Sequence, residues 1–202
     1  MSINVILQAR FSSTRLPGKV LKYIVNKPML ALQIERIKRA SLIDKIIVAT
    51  SVEADDDAIE QLCNKLAVPC FRGSLHDVLD RFYSTQKAFP SDHIVRLTGD
   101  CPLIEPTIID QVIDLHLMQA ADYTSNCLIP CLPDGLDVEV FTHKALTLSW
   151  QQAIKPSERE HVTQYMLNHS ELFTIMDFQY RPDLSNHRWT VDEPEDFELI
   201  KK

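Results

Sequence analysis

The chain has 202 residues, 45% hydrophobic and 7% aromatic, enough to bury one substantial core, with one domain as the default. Its 21 Lys and Arg against 28 Asp and Glu leave a formal charge of −7, which excludes a general nucleic-acid surface, because neutralising phosphates needs a basic face. No stretch approaches the ~20 apolar residues of a membrane span, and MSINVILQAR has no basic segment before its apolar run, so the sequence predicts a cytoplasmic protein without membrane contact.

Short β-branched runs alternate with amphipathic ones along the first half. The pattern predicts a strand over 3–7, a helix over 30–39, a strand over 45–50 and a helix over 55–66. A strand over 67–71, a helix over 77–87, a strand over 93–98 and a helix over 106–118 follow, the last opening on Pro106 where proline is tolerated. The second half is less regular, with strands predicted over 123–125, 136–141, 173–178 and 188–191 and helices over 143–153 and 158–168. Alternation of this kind implies a mostly parallel sheet covered on both faces, and such sheets bind ligands beyond the carboxyl ends of their strands. One domain over 1–202 is expected.

Five cysteines (Cys63, Cys70, Cys101, Cys127 and Cys131) are odd in number and lack CxxC spacing, so free thiols are expected, with neither a disulfide framework nor a zinc site. Only four glycines occur, Gly18, Gly73, Gly99 and Gly135, and each is expected where a side chain would obstruct the backbone.

Although the protein is acidic, residues 1–34 carry five cations and no carboxylate. Arg10, Arg15 and Lys19 fall in QARFSSTRLPGK directly after the first strand. Ser12, Ser13 and Thr14 sit among them and a Pro17-Gly18 turn follows, a composition that suits a polyphosphate. The loop has neither GxxxxGK[ST] nor GxGxxG spacing. Lys22 and Lys27 read as solvated. Asp100 in RLTGDCPLI and Asp192 in RWTVDEPEDFELI each end a predicted strand; each suits a helix cap or a metal ligand, and Mg²⁺ commonly takes one or two carboxylates plus phosphates and water. Asp122 and Asn126 in DYTSN, with Asp137 and Glu139 in PDGLDVEVF, suit either a hydroxyl-rich ligand or a polar edge strand. In SEREHVTQYM, Ser157 and Glu160 fit a capping box, while Arg159 and His161 suit either contact with a ligand or, preferred here, the helix surface.

Together these segments resemble the acylneuraminate and deoxyoctulosonate cytidylyltransferases, and within them the SpsF-like spore-coat polysaccharide branch. The likeness covers nearly the whole chain: QARFSSTRLPGKVL looks like the nucleotide-phosphate loop, RGSLHDVLDRF like the base-side segment, and RLTGDCPLI and WTVDEPEDF like the two metal motifs. DYTSN, PDGLDVEVF and EREHVTQYM are similar to the SpsF branch in particular.

The resemblance implies a Rossmann-like three-layer α/β/α nucleotidyltransferase fold with a mostly parallel mixed sheet, and a homodimer. It implies CTP and Mg²⁺ as well, with transfer to a sugar or sugar acid, a nonulosonic acid among the options, and release of pyrophosphate. It assigns Arg10, Ser12, Ser13, Arg15, Gly18 and Lys19 to the triphosphate and Arg72, Gly73 and Asp77 to base and ribose. Asp100 and Asp192 are assigned to metal, and Asp122, Asn126, Asp137 and Glu139 to the acceptor. Lys19, Arg10 and Asp100 are the expected catalytic groups. A glycosyltransferase of the same fold and a non-catalytic nucleotide-binding protein remain as alternatives, the first disfavoured by the lack of a DxD motif at the expected strand end.

Overall fold

The computed structural model describes residues 1–202. Its strands and helices in chain order are β1 (Ile3–Gln8), β2 (Tyr23–Ile24), β3 (Lys27–Pro28), α1 (Met29–Ile37), β4 (Lys45–Ser51), α2 (Asp57–Lys65), β5 (Cys70–Gly73), α3 (Val78–Ala88) and β6 (His93–Thr98). They continue as α4 (Pro106–Met118), β7 (Tyr123–Ser125), β8 (Glu139–Thr142), α5 (His143–Gln152), α6 (Pro156–Glu160), α7 (Gln164–Asn168), β9 (Ile175–Asp177) and α8 (Pro194–Ile200).

Seven strands form one sheet in the order β5-β4-β1-β6-β8-β7-β9. Only β8 runs antiparallel to its neighbours. Strand β1 is central, and Ile3 to Leu7 are buried, as expected for a strand covered on both faces. One face carries Val5, Leu7, Val48, Val95 and Leu97 against Ile34 and Ile37 of α1, Ile59 of α2 and Ile109 of α4. The other carries Ile6, Ala49 and Ile94 against Leu79 and Phe82 of α3, Leu146 of α5 and Met166 of α7. Each fully buried Leu, Ile or Phe contributes about 1.5–3 kcal/mol, so these two layers supply most of the folding free energy. No helix is long and apolar enough to cross a membrane.

After β1 the chain returns to β4 on one side, whereas β6 lies on the other, so the strand order reverses between β1 and β6. The carboxyl ends of those two strands flank the crevice where such sheets bind ligands.

Several predicted boundaries shift for physical reasons. Ala67, at φ 52°, closes α2 in the left-handed region and delays β5 to Cys70. The strand expected from 136 begins at Glu139, because the Asn126 side chain takes the backbone groups of Leu136 and Val138 that a ladder would otherwise use. The helix expected over 158–168 breaks at His161–Thr163, where Thr163 turns inward to donate to Glu139 at 2.7 Å. Lys155, not Ser157, is the N-cap of α6, so the expected capping box does not form there. Residues 188–191 are not a strand: a single bridge joins Arg188 to Asp134, and the Trp189 and Thr190 amides both donate to the Asp134 carbonyl. The expected strand over 173–178 shortens to β9.

Candidate active site

The loop from Ala9 to Gly18 leaves β1 at the crevice and curls back on itself. Asp56, 2% exposed, accepts from the Phe11 amide at 2.6 Å and the Ser51 amide at 2.9 Å, tying the start of the loop to the end of β4. At the other end Gly18 adopts φ +67°, and a Cβ there would lie 2.7 Å from the Phe11 ring. The turn therefore needs glycine. It delivers Lys19 into the crevice, only 8% exposed.

Lys19 Nζ donates to the Val191 carbonyl at 2.7 Å and to Asp192 Oδ1 at 3.0 Å, and lies 3.6 Å from Asp100 Oδ2. Asp100 follows β6, and Asp192 is brought alongside by a backbone bond from the Val191 amide to the Asp100 carbonyl at 2.8 Å. The other oxygen of Asp192 faces Arg15 at 3.1 Å and Arg188 at 3.0 Å. Burial works to raise this carboxyl, but the bond and charge of Lys19, with Arg188 and Arg15, hold it below the ordinary carboxylate value. Glu193 is the N-cap of α8 and pairs with Asp196 in a capping box, so Asp192 is left to face the crevice.

A cavity of about 250 Å³ opens here, lined by Arg10, Ser13, Thr14, Arg15 and Lys19 from the loop, with Gly99, Asp100 and Asp192 opposite. Ser12 is exposed and does not line it. Arg10 forms no ion pair and also lines a second cavity of about 310 Å³ with His76, Asp77, Pro156 and Arg159. Asp77 caps α3 through Asp80 N at 2.9 Å and accepts from Arg159 Nε at 2.9 Å and Nη2 at 2.6 Å; Arg159 also donates to the Trp150 carbonyl at 2.8 Å. Arg159 is thus a clamp joining α6, α3 and the end of α5, in place of the surface role that its sequence context suggested.

Thr98 links the first cavity to a third, of about 230 Å³, shared with Arg96, Cys127, Asp137 and Glu139. Glu139 pairs with Arg96 and accepts from Tyr123 Oη and Thr163 Oγ1, each at 2.7 Å. Burial pushes its carboxyl up, yet Arg96 and these donors hold it below the ordinary value. Asp137 lacks such a counter-charge. Burial, then Asp134, push its carboxyl up to about 6.

Four expected site residues, Arg72, Gly73, Asp122 and Asn126, sit elsewhere. Arg72 is taken by Asp57 at 2.6 Å, Glu60 at 3.0 Å and the Ser51 and Glu53 carbonyls, so its guanidinium braces the sheet edge. Asp122 precedes β7, which runs in the direction of β6, and this puts it at the opposite end of the sheet, where it accepts from the Thr174 amide. Asn126 is 4% exposed and spends its amide on Leu136 and Val138. Gly73 packs against Arg81. Sequence reasoning missed Asp56, Arg96 and Arg188; a lone Arg inside the apolar run HIVRLT was the available signal for Arg96.

Fold and site together define an α/β nucleotidyltransferase: a mixed, mostly parallel sheet with a cationic loop facing two aspartates across the strand-order reversal. The chain belongs to the cytidylyltransferase family, whose model matches residues 4–202. Its activity is that of a CTP-dependent cytidylyltransferase. It is 37% identical over 204 residues to the spore coat polysaccharide biosynthesis protein SpsF of Bacillus subtilis, covering 97% of this chain and 83% of that one. A cytidylyltransferase from Leptospira borgpetersenii superposes with a TM-score of 0.95 at 35% identity, over 100% of this chain and 85% of the other. A CMP:2-keto-3-deoxy-manno-octonic acid synthetase solved with CTP shares the fold at TM-score 0.78 and 18% identity, over 100% and 97% of the two chains.

Proposed function

We propose that the enzyme transfers the cytidylyl group of CTP to a hydroxyl of a sugar or sugar acid and releases pyrophosphate, within surface polysaccharide or glycan synthesis. The observation that carries this reading is the convergence of Lys19, Arg15, Asp100 and Asp192 on one cavity at the strand-order reversal.

Arg10, Arg15 and Lys19 bind the triphosphate, with Ser13 contributing its hydroxyl at the loop. Holding three cations against the phosphates counters the charge that develops as the pyrophosphate bond breaks, and costs no reorganisation during the step because the loop is already pinned by Asp56 and Gly18. The cavity next to Arg10, bounded by His76, Asp77 and Arg159, receives ribose and base. The third cavity receives the acceptor, with Asp137 and Glu139 accepting from its hydroxyls; Asp137 is also placed to take a proton from one of them, since a base with a pKa near neutrality serves that role best.

Asp100 and Asp192 fit a Mg²⁺ ion: they are two hard oxygen donors in a cavity lined by no imidazole, and the one sulfur beside them, Cys101 Sγ at 3.4 Å from Asp100 Oδ1, is too soft to compete for Mg²⁺, which takes few carboxylates and completes its shell with phosphates and water. Asp100 and Asp192 would hold the ion, which would supply Lewis-acid polarisation of the phosphoryl oxygens. The reading includes a cytoplasmic homodimer.

The test is pyrophosphate release with Mg²⁺, each of the four nucleoside triphosphates, and a panel of neutral sugars and sugar acids. Release that needs CTP and one acceptor class supports the proposal. Release with UTP, ATP or GTP but not CTP would overturn it.

A further inference from the structure

We infer that Lys19 and Arg15 stand in for the metal in the nucleotide-free enzyme, so that a divalent cation enters the site with the nucleotide and not before it. The inference rests on the proposed use of Asp100 and Asp192 as metal ligands and extends it to the order of binding.

Both oxygens of Asp192 are already engaged. Lys19 Nζ holds Oδ1 at 3.0 Å, while Arg15 and Arg188 hold Oδ2 at 3.1 and 3.0 Å. The same Lys19 lies 3.6 Å from Asp100, so one buried ammonium bridges the two carboxylates. A divalent cation cannot reach Asp192 without displacing at least one of these cations, and the neighbouring side chains do not compensate: Cys101 Sγ, 3.4 Å from Asp100 Oδ1, is too soft a donor for a hard cation, and Asp134 and Asp196 are held by Arg188.

Triphosphate changes the balance. Its oxygens offer Lys19 and Arg15 a more highly charged partner, beside Arg10, which has no carboxylate to leave. As the two cations turn to the phosphates, Asp100 and Asp192 regain free lone pairs while the phosphates add further oxygen ligands. Arg188 does not have to move, because it is also held by Asp134 and Asp196, and Asp196 accepts from the Asp192 amide at 2.9 Å, fixing that backbone. Arg188 is thus a positioning residue for Asp192. Nucleotide and metal must then help each other bind, by the same factor in either order.

The experiment titrates the full chain with Mn²⁺ alone, without nucleotide, reading free Mn²⁺ by electron paramagnetic resonance. Lys19→Met is expected to bind Mn²⁺ at least tenfold more tightly than the native chain, and adding Asp192→Asn to that variant is expected to remove the gain. Arg15→Met, at a half-exposed position that tolerates truncation, is expected to give a gain of a few fold. Unchanged or weaker Mn²⁺ affinity in folded Lys19→Met overturns the inference; should that variant not fold, the same result in Arg15→Met does so. No acceptor and no product enter the measurement, so a failure here is distinguishable from a failure to transfer the cytidylyl group.

Discussion

Asp137→Asn isolates the free energy that the proposed acceptor pocket stores in one carboxylate. Burial, reinforced by Asp134 and by the more distant Asp100 and Glu139, raises the Asp137 carboxyl from 3.8 to about 6, against a partial offset from Cys127. The folded state therefore binds the proton more tightly than the unfolded chain. Stability is intact below the unfolded value, falls as pH rises through the interval, and is lowest above the folded value. At about 1.4 kcal/mol per pH unit the full penalty at pH 8 is about 3 kcal/mol, and relaxation around the site brings the expected gain on neutralisation to about 1–3 kcal/mol. Asparagine keeps the shape and removes the charge. Thermal and urea unfolding should then show the variant more stable at pH 8, at about 2–4 °C per kcal/mol for a chain of this length, with the gain shrinking to about 0.5 kcal/mol at pH 4. A variant no more stable than the native chain at pH 8, or one whose gain is undiminished at pH 4, would refute the reasoning. The same variant should lose turnover, because the charge that destabilises the fold is the one assigned to the acceptor hydroxyl.

Further outcomes follow from the same geometry. Asp100→Asn should lower turnover by about 10³-fold or more while far-UV circular dichroism and melting temperature stay near native, since the side chain makes only long contacts to Lys19 and Cys101. Arg159→Met should raise the KM for CTP several-fold and destabilise by about 1–3 kcal/mol, as Asp77 and the Trp150 carbonyl both lose their donor; denaturant unfolding beside steady-state kinetics would show both effects. Gly135→Ala should cost more than about 2 kcal/mol, because Gly135 sits at φ +110° and an added Cβ would meet the Thr190 amide at 2.5 Å; a fully native melting temperature would contradict this.

The loop proposed for the phosphates was legible in the sequence as one cationic cluster because its residues are neighbours along the chain. Arg10, Ser13, Arg15 and Lys19 share one short loop after a buried strand, and the rule that parallel sheets bind ligands at strand ends places that loop without coordinates. The cavities proposed for base and acceptor were less legible. Arg72 and Asp122 had suitable chemistry, but α2 supplied two carboxylates to Arg72, and the direction of β7 carried Asp122 to the far end of the sheet. Arg159 was the converse case: its place in a charged helical run favoured solvent, while the packing of α6 beside α3 puts it on Asp77, the N-cap of α3.

From sequence alone came the alternation that dictates a mostly parallel α/β sheet, the segregation of cations into the first 34 residues, and the candidate aspartates Asp100 and Asp192, of which only Asp100 follows a strand of the folded sheet. Tertiary structure decided which of those groups meet. Asp100 and Asp192 stand 92 positions apart and share Lys19 only because Val191 hydrogen-bonds to Asp100 across the crevice, and the charge state of Asp137 depends on burial and on neighbours from other segments. Electrostatic partnership falls off over a few ångströms in space and takes no account of distance along the chain, so folding alone determines it.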